Sequence, residues 1–421
     1  MIRTSLEEVS EVNGLGELPD GWKWIPLGLL CEKIIGGGTP DRNNSSYWGG
    51  SIPWASVKDL KHDEIVTTQE SITIQGLENS STKLVEPGTV IVATRISLGK
   101  VSAAKTRLAI NQDLKGLVLV PNVLDKYLTY NLKSRALEIE RKGTGATVKG
   151  IKLDELKLLR IPIPFPNNPN LSRDIQHRIV SRIESLLTEL RGDRQLIDEM
   201  RRDTNRFMKI TLEEIFERID STRQPLINVI ESPPRNGWSP QCDDNPNGTP
   251  VLKLGAVLRF RYNPDEVKRT SLPTAPNAHY WLQPGDILIS RSNTLELVGH
   301  AAIYSGTPFP CIYPDLMMRV RVDKSKADSR FLVYWFQSKE VRHFIQSRAS
   351  GASPTMKKIN QGHVLNIPFP VISVEEQRWV ANHLDSIQSE VDEMLKTMEQ
   401  DARLLERLEQ SILEKAFQGQ L

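Results

Sequence analysis

The strongest constraint on how this chain folds is that its sequence is written twice. Glu86-Pro87-Gly88-Thr89-Val90-Ile91-Val92-Ala93-Thr94-Arg95 matches Gln283-Pro284-Gly285-Asp286-Ile287-Leu288-Ile289-Ser290-Arg291 with a one-residue gap, which sets Arg95 against Arg291. Gly145-Ala146-Thr147 matches Gly351-Ala352-Ser353, and Ile163-Pro164-Phe165-Pro166 matches Ile367-Pro368-Phe369-Pro370. Gln176 then matches Gln377, and that separation of 201 persists to Phe216 and Phe417. A constant offset over so long a stretch marks a segment without insertions; upstream it drifts, as it does where loops differ.

Each copy holds two kinds of sequence. Its first part carries short apolar runs punctuated by Gly, Pro and Asn, such as Val90–Ala93, Leu117–Val120, Ile287–Ile289 and Met318–Val322, which read as strands. Short amphipathic helices are expected at 127–142 and 329–347, so the fold class is α+β. Pro-rich stretches at 161–169 and 367–370 end these parts, because Pro breaks a helix and restricts the residue before it. A long helix follows each. Val380, Leu384, Ile387, Val391, Met394, Met398, Leu405, Leu408 and Ile412 alternate spacings of four and three, interrupted by Asp401, which is a heptad seam. Ile175, Ile179, Ile183, Leu186, Leu190, Ile197 and Met200 give the first copy its stripe, continuing less regularly to Phe207, Ile215 and Ile219, with Gly192 expected to soften the middle. Pairing the two stripes in an antiparallel coiled coil is the simplest way to bury both. The expected division is 1–170, 171–220, 221–372 and 373–421: globular domain, helix, globular domain, helix.

At 421 residues the chain is long enough for about two or three domains. Net charge is only +2, which by itself argues against a nucleic-acid partner. The charge is uneven, however. Residues 374–421 hold eleven acids and five bases, and 172–220 are nearly balanced, so the globular parts are basic and can present local cationic faces. No apolar run reaches the ~20 residues of a membrane span, and Met1–Glu8 lacks the apolar core of a secretory signal. Cys31, Cys242 and Cys311 are scattered, without zinc spacing, as in a reducing compartment. A cytoplasmic location is the expectation.

Catalytic signatures fail against the repeat. Asn366-Ile367-Pro368-Phe369 approximates the motif with which amino-methyltransferases hold a target amine, but the matched position of Asn366 is Pro162. Gly36-Gly37-Gly38 lacks dinucleotide-loop spacing and reads as a flexible turn. Asp154-Glu155-Leu156-Lys157 has the letters of a magnesium-dependent nuclease, yet the corresponding Gln361-Gly362-His363-Val364 lacks acids. No histidine pair has metal-ligand spacing.

What recurs is polar and basic. Arg95 leads into Ser97 and Lys100, and Arg291 into Ser292, Asn293 and Thr294. Arg pairs bidentately with guanine and Asn with adenine, so these strand ends suit base reading. Lys142, Thr144, Thr147 and Lys149, and in the second copy Arg348, Ser353, Lys357 and Lys358, flank small-residue loops that can approach phosphates closely. Trp48, Trp54, Trp281 and Tyr262 are further aromatic candidates for nucleotide contacts, with Trp54 read as core.

The Leu18-Pro19-Asp20-Gly21-Trp22-Lys23-Trp24 opening, the Pro-Gly–strand–Arg segment, the Gly-Ala-Thr/Ser loop, and Ile-Pro-Phe-Pro before a Gln-bearing helix occur in an order that resembles the specificity subunit of type I restriction-modification enzymes over nearly the whole chain. The resemblance implies two tandem target-recognition domains related by a pseudo-two-fold, each reading half of a bipartite DNA site and joined by paired helices. It implies a non-catalytic chain with no cofactor of its own, serving phage defence by DNA methylation and cleavage. S-adenosylmethionine, ATP and Mg would belong to the modification (methyltransferase) and restriction (endonuclease/translocase) subunits. There are departures from the pattern: the second copy's nearest approach to the Trp-bearing opening is Asn236-Gly237-Trp238, and while Ser373-Val374-Glu375-Glu376-Gln377 keeps the family's Glu-Gln, the first copy has Asp174-Ile175-Gln176. A self-contained restriction or methylation enzyme and a coiled-coil protein-binding adaptor are the competing readings.

Overall fold

The computed structural model describes residues 17–145, 149–243, 245–353 and 356–421. The chain divides into two compact units, Met1–Ile197 with Gln400–Leu421, and Asp198–Glu399.

In the first unit, β1 (Cys31–Gly36), β2 (Val90–Ala93), β3 (Val101–Ala104) and β4 (Leu114–Leu119) form a sheet in the order β1-β4-β2-β3, with Glu64–Ile65 at its edge. Every residue of β2 is buried, which explains a run of Val-Ile-Val-Ala with no polar alternation. The strand's period of two still sorts its side chains. Val90 and Val92 pack with Tyr127 and Leu128 of the helix Asp125–Ser134, while Ile91 and Ala93 pack with Leu108 and Ile110 of a second, four-stranded sheet. The long helix α1 (Pro169–Glu217) follows.

The second unit repeats the plan. Its sheet has β5 (Arg235–Asn236), β6 (Ile287–Ser290), β7 (Ala301–Ile303) and β8 (Met317–Val320) in the order β5-β8-β6-β7. In place of the second sheet it has a ribbon, Thr249–Leu252 with Val267–Thr270. Helix α2 (Val374–Ala416) starts where Ser373 Oγ accepts the Glu376 N–H, with Glu375 and Glu376 in the first turn, a capped and charge-matched terminus.

Backbone register matches between the units. Leu114 to Leu117 pair with Ala93 to Val90, and Met317 to Val320 with Ser290 to Ile287. One buried glutamine fixes each globular part to its helix. Gln176 Oε1 accepts from Leu124 N at 2.9 Å and its Nε2 donates to Asn122 O at 2.9 Å; Gln377 does the same with Asp328 N (3.0 Å) and Lys326 O (3.1 Å). Both glutamines are 0% exposed. Beside them Lys126 pairs with Glu184, and Arg330 with Asp385, each at 2.6 Å. The end of the other helix completes each core. Phe417 meets Tyr127 edge-on in the first unit, and Phe216 meets Phe331 and Trp335 in the second.

Four expectations change. The segments 127–142 and 329–347 each form two helices, Asp125–Ser134 with Ala136–Lys142 and Ser329–Trp335 with Lys339–Arg348. Gly192 does not soften α1, which is continuous through it. The Ile-Pro-Phe-Pro match slips by four residues: Leu27 N donates to Leu159 O and Leu226 N to Ile367 O, so Ile367 occupies the place of Leu159, and Asn366 that of Leu158 rather than Pro162. The Pro letters draw the match to 163–166, whereas the backbone register sets Pro368 against Arg160 and only Pro370 against a proline, Pro162. By the same pairing, the counterpart of the Trp22–Pro26 strand is Arg223–Pro225, not Asn236-Gly237-Trp238.

Replacing Gln176 by Leu strips Leu124 N–H and Asn122 C=O of their partners, at ~1–3 kcal/mol for each buried group. Thermal unfolding of the variant is expected at a clearly lower midpoint; an unchanged midpoint would mean that water takes over both bonds. A Cβ at Gly192 meets no atom within 4 Å, so Gly192→Ala should raise stability by ~0.5–1 kcal/mol in a denaturant titration.

Candidate nucleic-acid interface

The candidate site grows from a glycine in each unit. Gly37 crosses the turn after Ile110 so closely that a Cβ would lie 2.0 Å from Asn111 O, and Gly237 crosses Tyr313 O at the same 2.0 Å. Only a residue without a side chain permits this approach. The next residue closes the crossing in both, Gly38 N donating to Ile110 O (3.0 Å) and Trp238 N to Tyr313 O (2.9 Å). Gly36-Gly37-Gly38 is therefore a packed crossing rather than a flexible turn, and its counterpart is Asn236-Gly237-Trp238. A hydroxyl and a buried proline follow, Thr39-Pro40 and Ser239-Pro240. Thr39 Oγ1 donates to Gln112 Oε1, and Ser239 Oγ donates to Asp315 Oδ1. Gln112 and Asp315 are the exposed tips of turns whose neighbours Asn111, Asp113, Pro314 and Met317 are buried.

The arginine-bearing strand ends lie against these turns. Thr94 N donates to Asp113 O and Arg291 N to Leu316 O, both at 2.8 Å, while Thr94 O accepts from Ile151 N (2.9 Å) and Arg291 O from Ile359 N (3.0 Å). The one-residue gap is thus removed: Arg291 stands where Thr94 does, and Arg95 corresponds to Ser292. Arg95 is half exposed, its guanidinium 3.8 Å from Asp113, a loose pair that leaves donors free. Arg291 Nη1 donates to Asp315 O at 3.2 Å. Ile96 and Ser97 both have φ of 54°, a backbone region costly for a β-branched residue, and Lys100 N returns to Ser97 O at 3.3 Å to close the turn. Ser292 is only 3% exposed, which corrects its place among surface contacts: its hydroxyl points into the protein. Asn293 Oδ1 accepts from Thr294 N at 2.9 Å.

The small-residue loops dock on the same strand ends. Thr144 and Gly150 exchange backbone bonds at 2.9 Å, and Ile96 N donates to Lys149 O at 3.4 Å. This brings Lys142, Thr144 and Lys149 to the Arg95 turn. Ser350 and Lys358 exchange the equivalent bonds (3.0 and 2.8 Å), and Ser292-Asn293 pairs with Lys357-Lys358. Gly145 and Gly351 share an unusual backbone, with φ of 129° and 138°. Lys357 Nζ is held by Gly351 O at 2.7 Å, and the Arg348 guanidinium lies 3.7 Å over the Phe344 ring. Lys358 and Ser353 are exposed. Thr147 lies outside the described residues.

Of the aromatic candidates, Trp54 is core at 2% exposure. Trp281 and Tyr262 spend their polar atoms on Ala275 O and Thr307 O. Trp48 is half-buried, with the Arg42 guanidinium 3.9 Å above its ring. Sequence reasoning missed Thr39, Gln112, Ser239 and Asp315, although Gly37-Gly38-Thr39-Pro40 and Gly237-Trp238-Ser239-Pro240 share a Gly-x-hydroxyl-Pro pattern. Among the described residues no group of three His, Cys, Asp or Glu side chains could hold a metal ion. Burial pushes the thiols of Cys31 and Cys311 up, to about 11 and about 12, so neither is an activated nucleophile.

Residues 19–200 match the family model described as type I restriction modification DNA specificity domain. The chain is 34% identical over 175 residues to the EcoR124I/EcoR124II specificity subunit of Escherichia coli, an alignment covering 40% of this chain and 42% of that subunit. Similarity to the StySPI specificity subunit of Salmonella potsdam, at 23% identity, extends over 96% of this chain and 90% of the relative. A chain solved in a study of complex assembly and conformational transition of the type I R-M system has the same fold, with TM-score 0.73 at 22% identity, covering 97% of this chain and 100% of that one. A loop cluster built in both units, a specificity-domain match over residues 19–200 and similarity running nearly end to end agree on one likeness: the chain is similar to the specificity subunits of type I restriction-modification enzymes.

Proposed function

We propose that this chain reads a bipartite DNA sequence on behalf of methyltransferase and endonuclease partner subunits and performs no chemistry itself. The observation that carries the reading is the loop cluster present in each unit: the same backbone bonds hold different side chains, Gln112, Thr94 and Arg95 in one, Asp315, Arg291 and Ser292 in the other. A common frame with changed surface groups is what two readers of unlike half-sites require, because bases are told apart by donor and acceptor pattern. Lys142, Lys149, Lys358 and Arg348 supply phosphate contacts that set register without sequence information. In this reading the units are tandem target-recognition domains related by a pseudo-two-fold. Helices α1 and α2 pair antiparallel as a coiled coil, and their length fixes the unread spacer. S-adenosylmethionine, ATP and Mg belong to the partner subunits, and the complex works in the cytoplasm.

The purified chain is expected neither to methylate nor to cut DNA, and to confer S-adenosylmethionine-dependent, sequence-specific methylation on its modification subunit. Activity from the chain alone would favour a self-contained enzyme; no DNA selectivity with the partner present would favour an adaptor. Arg95→Ala and Arg291→Ala should each weaken discrimination in a different half-site by about 1–3 kcal/mol if the contacts are bidentate. Equal weakening on all sequences would make them phosphate contacts. A heptad adds about 10 Å to a helix and a base pair spans ~3.4 Å, so a matched heptad inserted in both α1 and α2 should lengthen the preferred spacer by about three base pairs. Methylation of a library with fixed half-sites and variable spacers measures it, and an unchanged spacer in an active variant would refute the ruler.

A further inference from the structure

We propose that Gln112 and Asp315 are equivalent specificity-determining residues, one for each half-site, that read base edges; this rests on the DNA-reading role above. Four observations converge on them. Each is the exposed tip of a turn set in buried surroundings, Gln112 between buried Asn111 and Asp113, and Asp315 between buried Pro314 and half-buried Leu316 with Met317 buried beyond it. Each is gripped by a hydroxyl, Thr39 or Ser239, and that hydroxyl is itself positioned by a glycine crossing in which a Cβ would come within 2.0 Å of backbone oxygen. Asp315 N also donates to Ser239 Oγ at 3.1 Å. Each tip adjoins an arginine: Arg95 Nη1 stands 3.8 Å from the Asp113 carboxylate, and Arg291 Nη1 is 3.2 Å from Asp315 O. Finally, the bonding that holds the two tips is alike while their functional groups differ, an amide in one and a carboxylate in the other.

That difference has a chemical consequence. With Oε1 accepting from Thr39, Gln112 keeps a second lone pair on Oε1, and among the described residues its Nε2 donates no hydrogen bond. A donor beside an acceptor matches the N7 and N6 edge of adenine. Asp315 offers acceptors only. It suits the exocyclic amine of cytosine and repels the acceptor edges of guanine and thymine. A carboxylate at this tip also rules out the bland alternative of a phosphate contact, since like charges repel.

The test is selection, by the full chain assembled with its methyltransferase subunits, from duplexes randomised in both half-sites. Gln112→Asp should change preference by roughly tenfold at one base pair of one half-site, and Asp315→Gln at one base pair of the other, each leaving the remaining positions alone. Unchanged base preferences, or uniform weakening on every sequence, would overturn the proposal. Because a tip substitution can disturb its turn, Thr39→Val and Ser239→Ala release the grip without altering tip chemistry. They should broaden preference at those same base pairs, and full retention of preference there would count against the proposal. A wild-type complex that selects no bipartite sequence would defeat the DNA-reading role itself, an outcome distinct from these.

Discussion

A primary amide hidden from water anchors everything else in this protein. Gln176 and Gln377 each offer one acceptor and two donors, and each satisfies backbone groups at the start of a helix in the globular part. No apolar residue can replace that bonding. The pairs Lys126–Glu184 and Arg330–Asp385 add charge beside them, but both are partly exposed and correspondingly weak. The glutamines therefore set the orientation of each globular part on its helix, and whatever the loops touch is positioned through them.

From that anchor a rigid path leads to the candidate interface. Tyr127 and Phe331 pack on the sheet's helical face, and fully buried β2 and β6 carry the sheet to the loops. The loops take their places by backbone-to-backbone bonds and glycine crossings, not by side-chain packing. Such a construction tolerates change in the exposed groups, because the bonds that hold the frame belong to the main chain. The two units illustrate it: a four-stranded sheet in one is replaced by a two-stranded ribbon in the other, yet the same loops meet.

Legibility of the sequence followed the kind of constraint. The segment from Gln176 to Phe216 matches 377–417 without a gap because a helix with a buried stripe admits no insertion without rotating its face. The strand Val90–Ala93 was visible from its unbroken apolar run. The gap that joined Arg95 to Arg291 was an error of a predictable sort: identical letters one residue apart outweighed the strand's own count, and in a strand one residue turns a side chain to the opposite face. Ser292, buried where Arg95 is exposed, shows the same point from the other side.

By itself the sequence determined the duplication, the helices, the strand cores and the basic loops, since periodicity and composition record burial directly. Only the tertiary structure decided which loops meet, because that depends on hydrogen bonds between backbone groups distant in the chain and identical for every residue type. Hence Thr39, Gln112, Ser239 and Asp315 went unnoticed while Arg95 and Lys149 did not. Their importance lies in what the fold places beside them, and the letters alone carry no record of it.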